Sequence, residues 1–115
     1  MDDSAVFLDA ARTLLEREGL SVVGVASTEA SAIQEAKRLR PDVVLVDIML
    51  GGESGFEVAR SLIDRAAQPS PVVVILISTQ NETDFDELIA ESPAAGFVPK
   101  SKLSADAILR FLPNH

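Results

Sequence analysis

A doubly wound parallel α/β sheet with helices on both faces is the fold class that three observations predict. Short β-branched runs at 21–25, 43–47, 72–78 and 96–98 alternate with longer stretches of helical spacing, the pattern of strands buried on both faces. No repeat, linker or low-complexity tract divides the chain, and 115 residues with 47% apolar content fit one domain spanning residues 1–115. Glycine and proline fall between the periodic stretches, where elements of this kind begin and end.

Each element has a local reason. A helix over 5–18 carries Val6, Phe7, Ala10, Ala11, Leu14 and Leu15 on one stripe, and Gly19 closes it from the C′ position. After the 21–25 strand, Thr28 caps a helix whose apolar face is Ala30, Ile33, Ala36 and Leu39, and Pro41 stops it. The 43–47 strand ends on Asp47, and the glycine-rich turn 51–55 leads into a helix over 54–67, before Pro69 and Pro71. The 72–78 strand, a helix over 82–90 and the 96–98 strand follow. Ser104 caps the last helix, with Ala107, Ile108, Phe111 and Leu112 facing inward and Pro113 closing it. The alternation starts with a helix, which only Met1, Asp2, Asp3 and Ser4 precede.

Composition excludes several function classes. Ten basic against 18 acidic residues give a net charge of -8, so the surface repels a phosphate backbone; no direct nucleic-acid or membrane partner is expected. There is no cysteine, and the single histidine, His115, is terminal. Thiolate and histidine zinc sites and a Ser-His-Asp engine are thereby excluded within one chain. The apolar run 72–77 is far too short to span a bilayer and no basic leader opens the chain, so a cytoplasmic location is expected.

The side chains suited to chemistry fall at strand ends. Doubly wound sheets bind ligands at the carboxyl ends of their strands. Asp47 ends one apolar strand, Ser78 and Thr79 end another, and Lys100 follows a third. Asp2 and Asp3 precede the first helix, an equivalent position if a strand leads into them. Carboxylates about 5 Å apart repel by roughly 3 kcal/mol per pair at an effective dielectric near 20, which favours recruitment of a hard cation. Mg²⁺, which takes a few carboxylates, waters and phosphate oxygens, fits this set. An aspartate beside such an ion attacks a phosphoryl group to give an acyl phosphate, with Lys100 pairing to the phosphoryl charge and Ser78 donating to it. Each residue also has a plainer reading: Asp47 as a turn cap, the acid pair as a helix N-terminal charge, Lys100 as a surface lysine, Ser78 as a turn hydroxyl and Phe97 as core.

The ordered set Asp2-Asp3, Asp47, Ser78, Phe97 and Lys100 resembles the receiver domains of two-component response regulators, the CheY-like family, along essentially the whole chain. The resemblance implies a flavodoxin-like fold, with Mg²⁺ held by Asp2, Asp3, Asp47 and the backbone carbonyl of Met49. It also implies that Asp47 is the phosphoacceptor for a histidine kinase or phosphotransfer protein, with Ser78 and Lys100 contacting the phosphoryl group. Ser78 and Phe97 would be the switch residues, acting on an output surface over about 82–112 that engages an effector protein or a second copy. The 98–104 stretch is similar to a branch whose regulators often carry helix-turn-helix outputs. Such a domain is a signalling switch and not an enzyme beyond self-dephosphorylation.

The family's first strand is missing from this sequence. It would lie between the 21–25 and 43–47 strands, and its absence predicts a four-stranded remnant or a strand donated by another chain. Met1 is then expected to be an internal residue of that strand, with upstream residues lost. Two other functions compete: a degenerate receiver that binds partners without phosphorylation, and a phosphohydrolase with an aspartate nucleophile. The second lacks the usual aspartate two residues after the nucleophile, where Met49 stands.

Overall fold

The computed structural model describes residues 1, 4–26, 28–39, 41–50, 53–65, 73–79 and 86–112. In chain order they form α1 (Ala5–Arg17), α2 (Glu29–Leu39), β1 (Val43–Asp47), β2 (Met49–Leu50), β3 (Glu53–Ser54), α3 (Gly55–Arg65), β4 (Val73–Ser78), α4 (Asp86–Glu91), β5 (Gly96–Pro99) and α5 (Ala105–Leu109). A 3₁₀ turn over Lys100–Lys102 joins β5 to α5.

Three strands form a parallel sheet in the order β1-β4-β5. Asp47 stands opposite Ile77, and Ser78 opposite Pro99, so the carboxyl ends of all three strands meet along one edge. The alternation of side chains divides the core into two layers. Val46, Val74 and Leu76 face Val58, Ala59 and Leu62 of α3 with Ala32 and Ala36 of α2. Leu45, Ile75, Ile77 and Val98 face Phe7, Ala11 and Leu15 of α1 with Ile108 of α5. Helices thus cover both faces of a parallel sheet, the doubly wound arrangement that the alternating runs predict.

The helix ends follow their local chemistry. Ser4 caps α1 by accepting from the Phe7 N–H, and Thr28 Oγ1 accepts from the Ser31 N–H at the start of α2. Gly19 sits at φ 99°, where a side chain is disfavoured. Its N–H donates to the Glu16 carbonyl and the Leu20 N–H to the Leu15 carbonyl, a Schellman closure. The buried faces are narrower than the apolar stripes predict. Val6 is 83% exposed, and Ala10 and Ala30 are also exposed. In α1, Phe7, Ala11 and Leu15, four residues apart, pack on the layer that includes Ile75 and Ile77 of the sheet.

The strand expected over 21–25 does not form: residues 21–26 carry no regular structure, and Val23 and Val25 are 52% and 48% exposed. Among the described residues the sheet therefore has three strands where four were expected. The reason is spacing. A strand in that position is separated from β1 by a full intervening lane, about 10 Å from it, and backbone hydrogen bonds reach only across about 4.8 Å. Among the described residues, Met1 occupies the lane. The Met1 ammonium donates to the Leu45 carbonyl, and the Met1 carbonyl accepts from the Asp47 N–H at 3.0 Å. These two bonds straddle Val46 as a residue of a parallel strand would. Beside it lies a cavity of ≈ 390 Å³ whose lining includes Val22, Leu39, Val43 and Leu45.

The turn at 51–55 also differs from its expected form. Met49 pairs with Ser54 and Leu50 with Glu53, making a short antiparallel hairpin before α3 begins at Gly55. The last helix is short, because only Ala105–Leu109 is α-helical. It is held by a bond between distant elements: Glu18 Oε1, at the end of α1, accepts from the Ala105 N–H at 2.6 Å. Replacing Glu18 with Ala is expected to cost about 1 kcal/mol in a urea titration, since a carboxylate is lost from a helix N-terminus, while Glu18→Gln retains most of the stability.

Candidate phosphoryl site

The site is built by the parallel sheet. β1 is apolar up to Val46, which is fully buried, and then delivers Asp47 at its carboxyl end with 5% exposure. Its neighbour β4 ends on Ser78, 1% exposed. β5 ends at Pro99, and the 3₁₀ turn that follows starts with Lys100. Across this edge Lys100 Nζ donates to Asp47 Oδ2 at 2.9 Å, and the two side chains are 12% and 7% exposed. Residues 53 positions apart thus form a shielded ion pair, which gains far more from Coulomb attraction than a surface pair does.

Two further features surround Asp47. The Ile48 N–H donates to the Ile77 carbonyl at 2.9 Å, so β1 stays paired past the carboxylate. The N-terminus of α3 then packs directly on the strand end: the Gly55 N–H donates to the Ile48 carbonyl at 3.0 Å. A side chain at Gly55 would meet the Asp47 carbonyl oxygen, and its Cβ would lie 2.6 Å from Ile48 Cα. The ring of Phe7, from the first turn of α1, stands 4.2 Å from Lys100 Nζ.

Of the residues singled out from the sequence, Asp47, Ser78 and Lys100 lie on the carboxyl edge of the sheet, with Asp47 and Lys100 in direct contact. Phe97 lies elsewhere: it is half-buried and packs on the layer of Val46, Leu62 and Leu76, the face opposite Phe7. The backbone of Met49 follows two residues after Asp47, at the start of β2. Asp2 and Asp3 lie outside the described residues. Among the described residues no three His, Cys, Asp or Glu side chains gather as a metal site, and no helix is long and apolar enough to cross a membrane.

Two residues at this edge escape a reading of the sequence. Phe7 belongs to the apolar stripe of α1, and nothing in its spacing marks it as a neighbour of Lys100. Gly55 reads as one more glycine of a turn. A partial signal exists for it, because a glycine at the first position of a helix, after a strand-end acid, often marks close backbone approach.

Comparison with known proteins agrees with this architecture. Residues 1–110 match the family model described as "Response regulator receiver domain". The chain is 29% identical over 102 residues to the DNA-binding transcriptional activator EvgA of Escherichia coli K12, covering 89% of this chain and 48% of that protein. It is 35% identical over 89 residues to the response regulator GacA of Pseudomonas aeruginosa, covering 77% of this chain and 40% of that one. The chain thus spans about half the length, or less, of these curated relatives. Among solved structures, the signal receiver domain of the putative response regulator NarL from Mycobacterium tuberculosis superposes with a TM-score of 0.83 at 29% identity, covering 99% of this chain and 93% of that one. With a parallel sheet covered on both faces and a match over nearly its whole length, this chain belongs to the response regulator receiver domain family.

Proposed function

We propose that residues 1–115 act as a phosphoryl-accepting receiver domain, with Asp47 as the acceptor. The observation that carries the reading is the shielded contact of Lys100 with Asp47 at the carboxyl edge of the sheet. An Asp47 carboxylate oxygen attacks the phosphorus of a phosphohistidine on a histidine kinase or phosphotransfer protein. The O–P bond forms as the P–N bond breaks, and the imidazole nitrogen leaves with the electron pair and then takes a proton. Lys100, already at the carboxylate, pairs with the arriving phosphoryl oxygens, and the Ser78 hydroxyl donates to them.

The donor set at this edge fits Mg²⁺, since it consists of hard oxygens: the Asp47 carboxylate and the Met49 carbonyl, with the acid pair Asp2 and Asp3 following Met1 in sequence. Those four residues would hold the ion, which supplies positive charge to the phosphoryl oxygens. The product is a signalling state and not a released metabolite. Ser78 and Phe97 relay it to the surface that includes α4, β5 and α5, where a cytoplasmic effector protein or a second copy binds.

Incubation with Mg²⁺ and acetyl phosphate, read by intact mass, tests the assignment. The chain should gain one phosphoryl group, and Asp47→Asn should gain none. No gain in the native chain, or an equal gain in the variant, overturns it. A phosphorylation-independent interaction module is the second reading, favoured by the sheet of three strands; partner binding by Asp47→Asn equal to that of the native chain would select it.

A further inference from the structure

We propose that Phe7 is a positioning residue for Lys100, holding its ammonium over the acceptor before and after phosphoryl transfer. The inference rests on the reading of Asp47 as phosphoacceptor and adds a residue that reading does not use. Phe7 is turned inward while its neighbour Val6 is 83% exposed. Its backbone is pinned by the Ser4 cap, and its ring packs in the layer of Ile77, Val98 and Ile108. From there the ring centroid lies 4.2 Å from Lys100 Nζ, while Asp47 Oδ2 lies 2.9 Å from the same nitrogen. The ammonium therefore sits between a carboxylate and an aromatic face.

The two contacts respond differently to the reaction. A lysine side chain has a long flexible stem, and fixing it carries an entropic cost. The Asp47 carboxylate holds it by charge, but that carboxylate becomes an acyl phosphate and its charge passes outward to the phosphoryl oxygens. The ring does not change. Attraction of a cation to an aromatic face depends weakly on the direction of its N–H bonds, so the ammonium shifts toward the phosphoryl oxygens without leaving Phe7. A buried aliphatic side chain of similar size fills the same space and lacks that attraction.

Two readouts on the full chain test this. In protein labelled with ¹³Cε-lysine, the Lys100 ε-methylene protons should be shifted upfield by the ring current. The shift should persist in Phe7→Tyr and vanish in Phe7→Leu. The rate constant for phosphorylation at saturating acetyl phosphate should fall about three- to tenfold in Phe7→Leu. Phe7→Tyr should restore it, and Phe7→Leu should have no further effect in a Lys100→Ala background. Absence of the ring-current shift, an unchanged rate in Phe7→Leu, or an equal loss without Lys100 would each overturn the proposal. If the native chain gains no phosphoryl group, the acceptor reading fails, and the ring-current result alone decides whether Phe7 positions Lys100.

Discussion

Lys100→Met is expected to lower the unfolding free energy by about 2–3 kcal/mol, with most of the loss recovered when Asp47→Asn is added. The two side chains are 12% and 7% exposed and in contact at 2.9 Å. Methionine keeps most of the lysine stem and so preserves packing, but leaves the Asp47 carboxylate without its ammonium in a poorly solvated place. Removing one partner of a shielded pair is far more costly than removing both, because the penalty comes from the charge left behind. The magnitude is set below that of a fully buried pair because the site lies at the strand ends, within reach of water. With no Trp and no Tyr in the chain, far-UV circular dichroism in urea, with EDTA present, is the suitable probe. A single variant as stable as the native chain, or no recovery in the double variant, would show that the Asp47 carboxylate carries no penalty when its ammonium is gone.

Gly55→Ala should be as damaging, for a steric reason. The added Cβ would meet the Asp47 carbonyl oxygen and lie 2.6 Å from Ile48 Cα and 2.8 Å from the Asp47 carbonyl carbon. All three are backbone atoms, so no rotamer change relieves the contact, and either α3 lifts from β1 or the end of β1 moves. Overpacking of this kind costs about 3 kcal/mol. Because β1 carries Asp47, the proposed acceptor, phosphorylation should slow along with the loss in thermal stability. A variant with native melting temperature and native rate would mean that α3 does not press on the strand end.

Much of this architecture was legible because it is written in short-range patterns. The β-branched runs at 43–47 and 96–98 became β1 and β5, and Ser104 and Gly19 mark helix ends. The family set could be read residue by residue, and Asp47, Ser78 and Lys100 do meet on one edge. Their roles there remain the proposal that the phosphorylation assay tests. Asp2 and Asp3 lie outside the described residues, so the metal half of the set rests on sequence.

What failed to be legible depended on a neighbour. Residues 21–26 have the composition of a strand, yet strand composition yields a strand only where a partner lies one lane away. Val6 has the character of a core residue, but the sheet accepts only a narrow rail of α1. The bond from Glu18 to Ala105 joins residues 87 positions apart, and the contact of Lys100 with Phe7 is equally remote in sequence.

The sequence by itself determined the alternation of sheet strands and helices from residue 43 onward, the caps and the identity of the strand-end residues, since each follows from torsional preference and from side-chain spacing within a few residues. Only the tertiary structure decided that β1 is bonded on its outer side to Met1, that Gly55 lies against Asp47, and that an aromatic ring stands beside Lys100. These depend on which surfaces meet once the sheet has formed, and no pattern within one element carries that information.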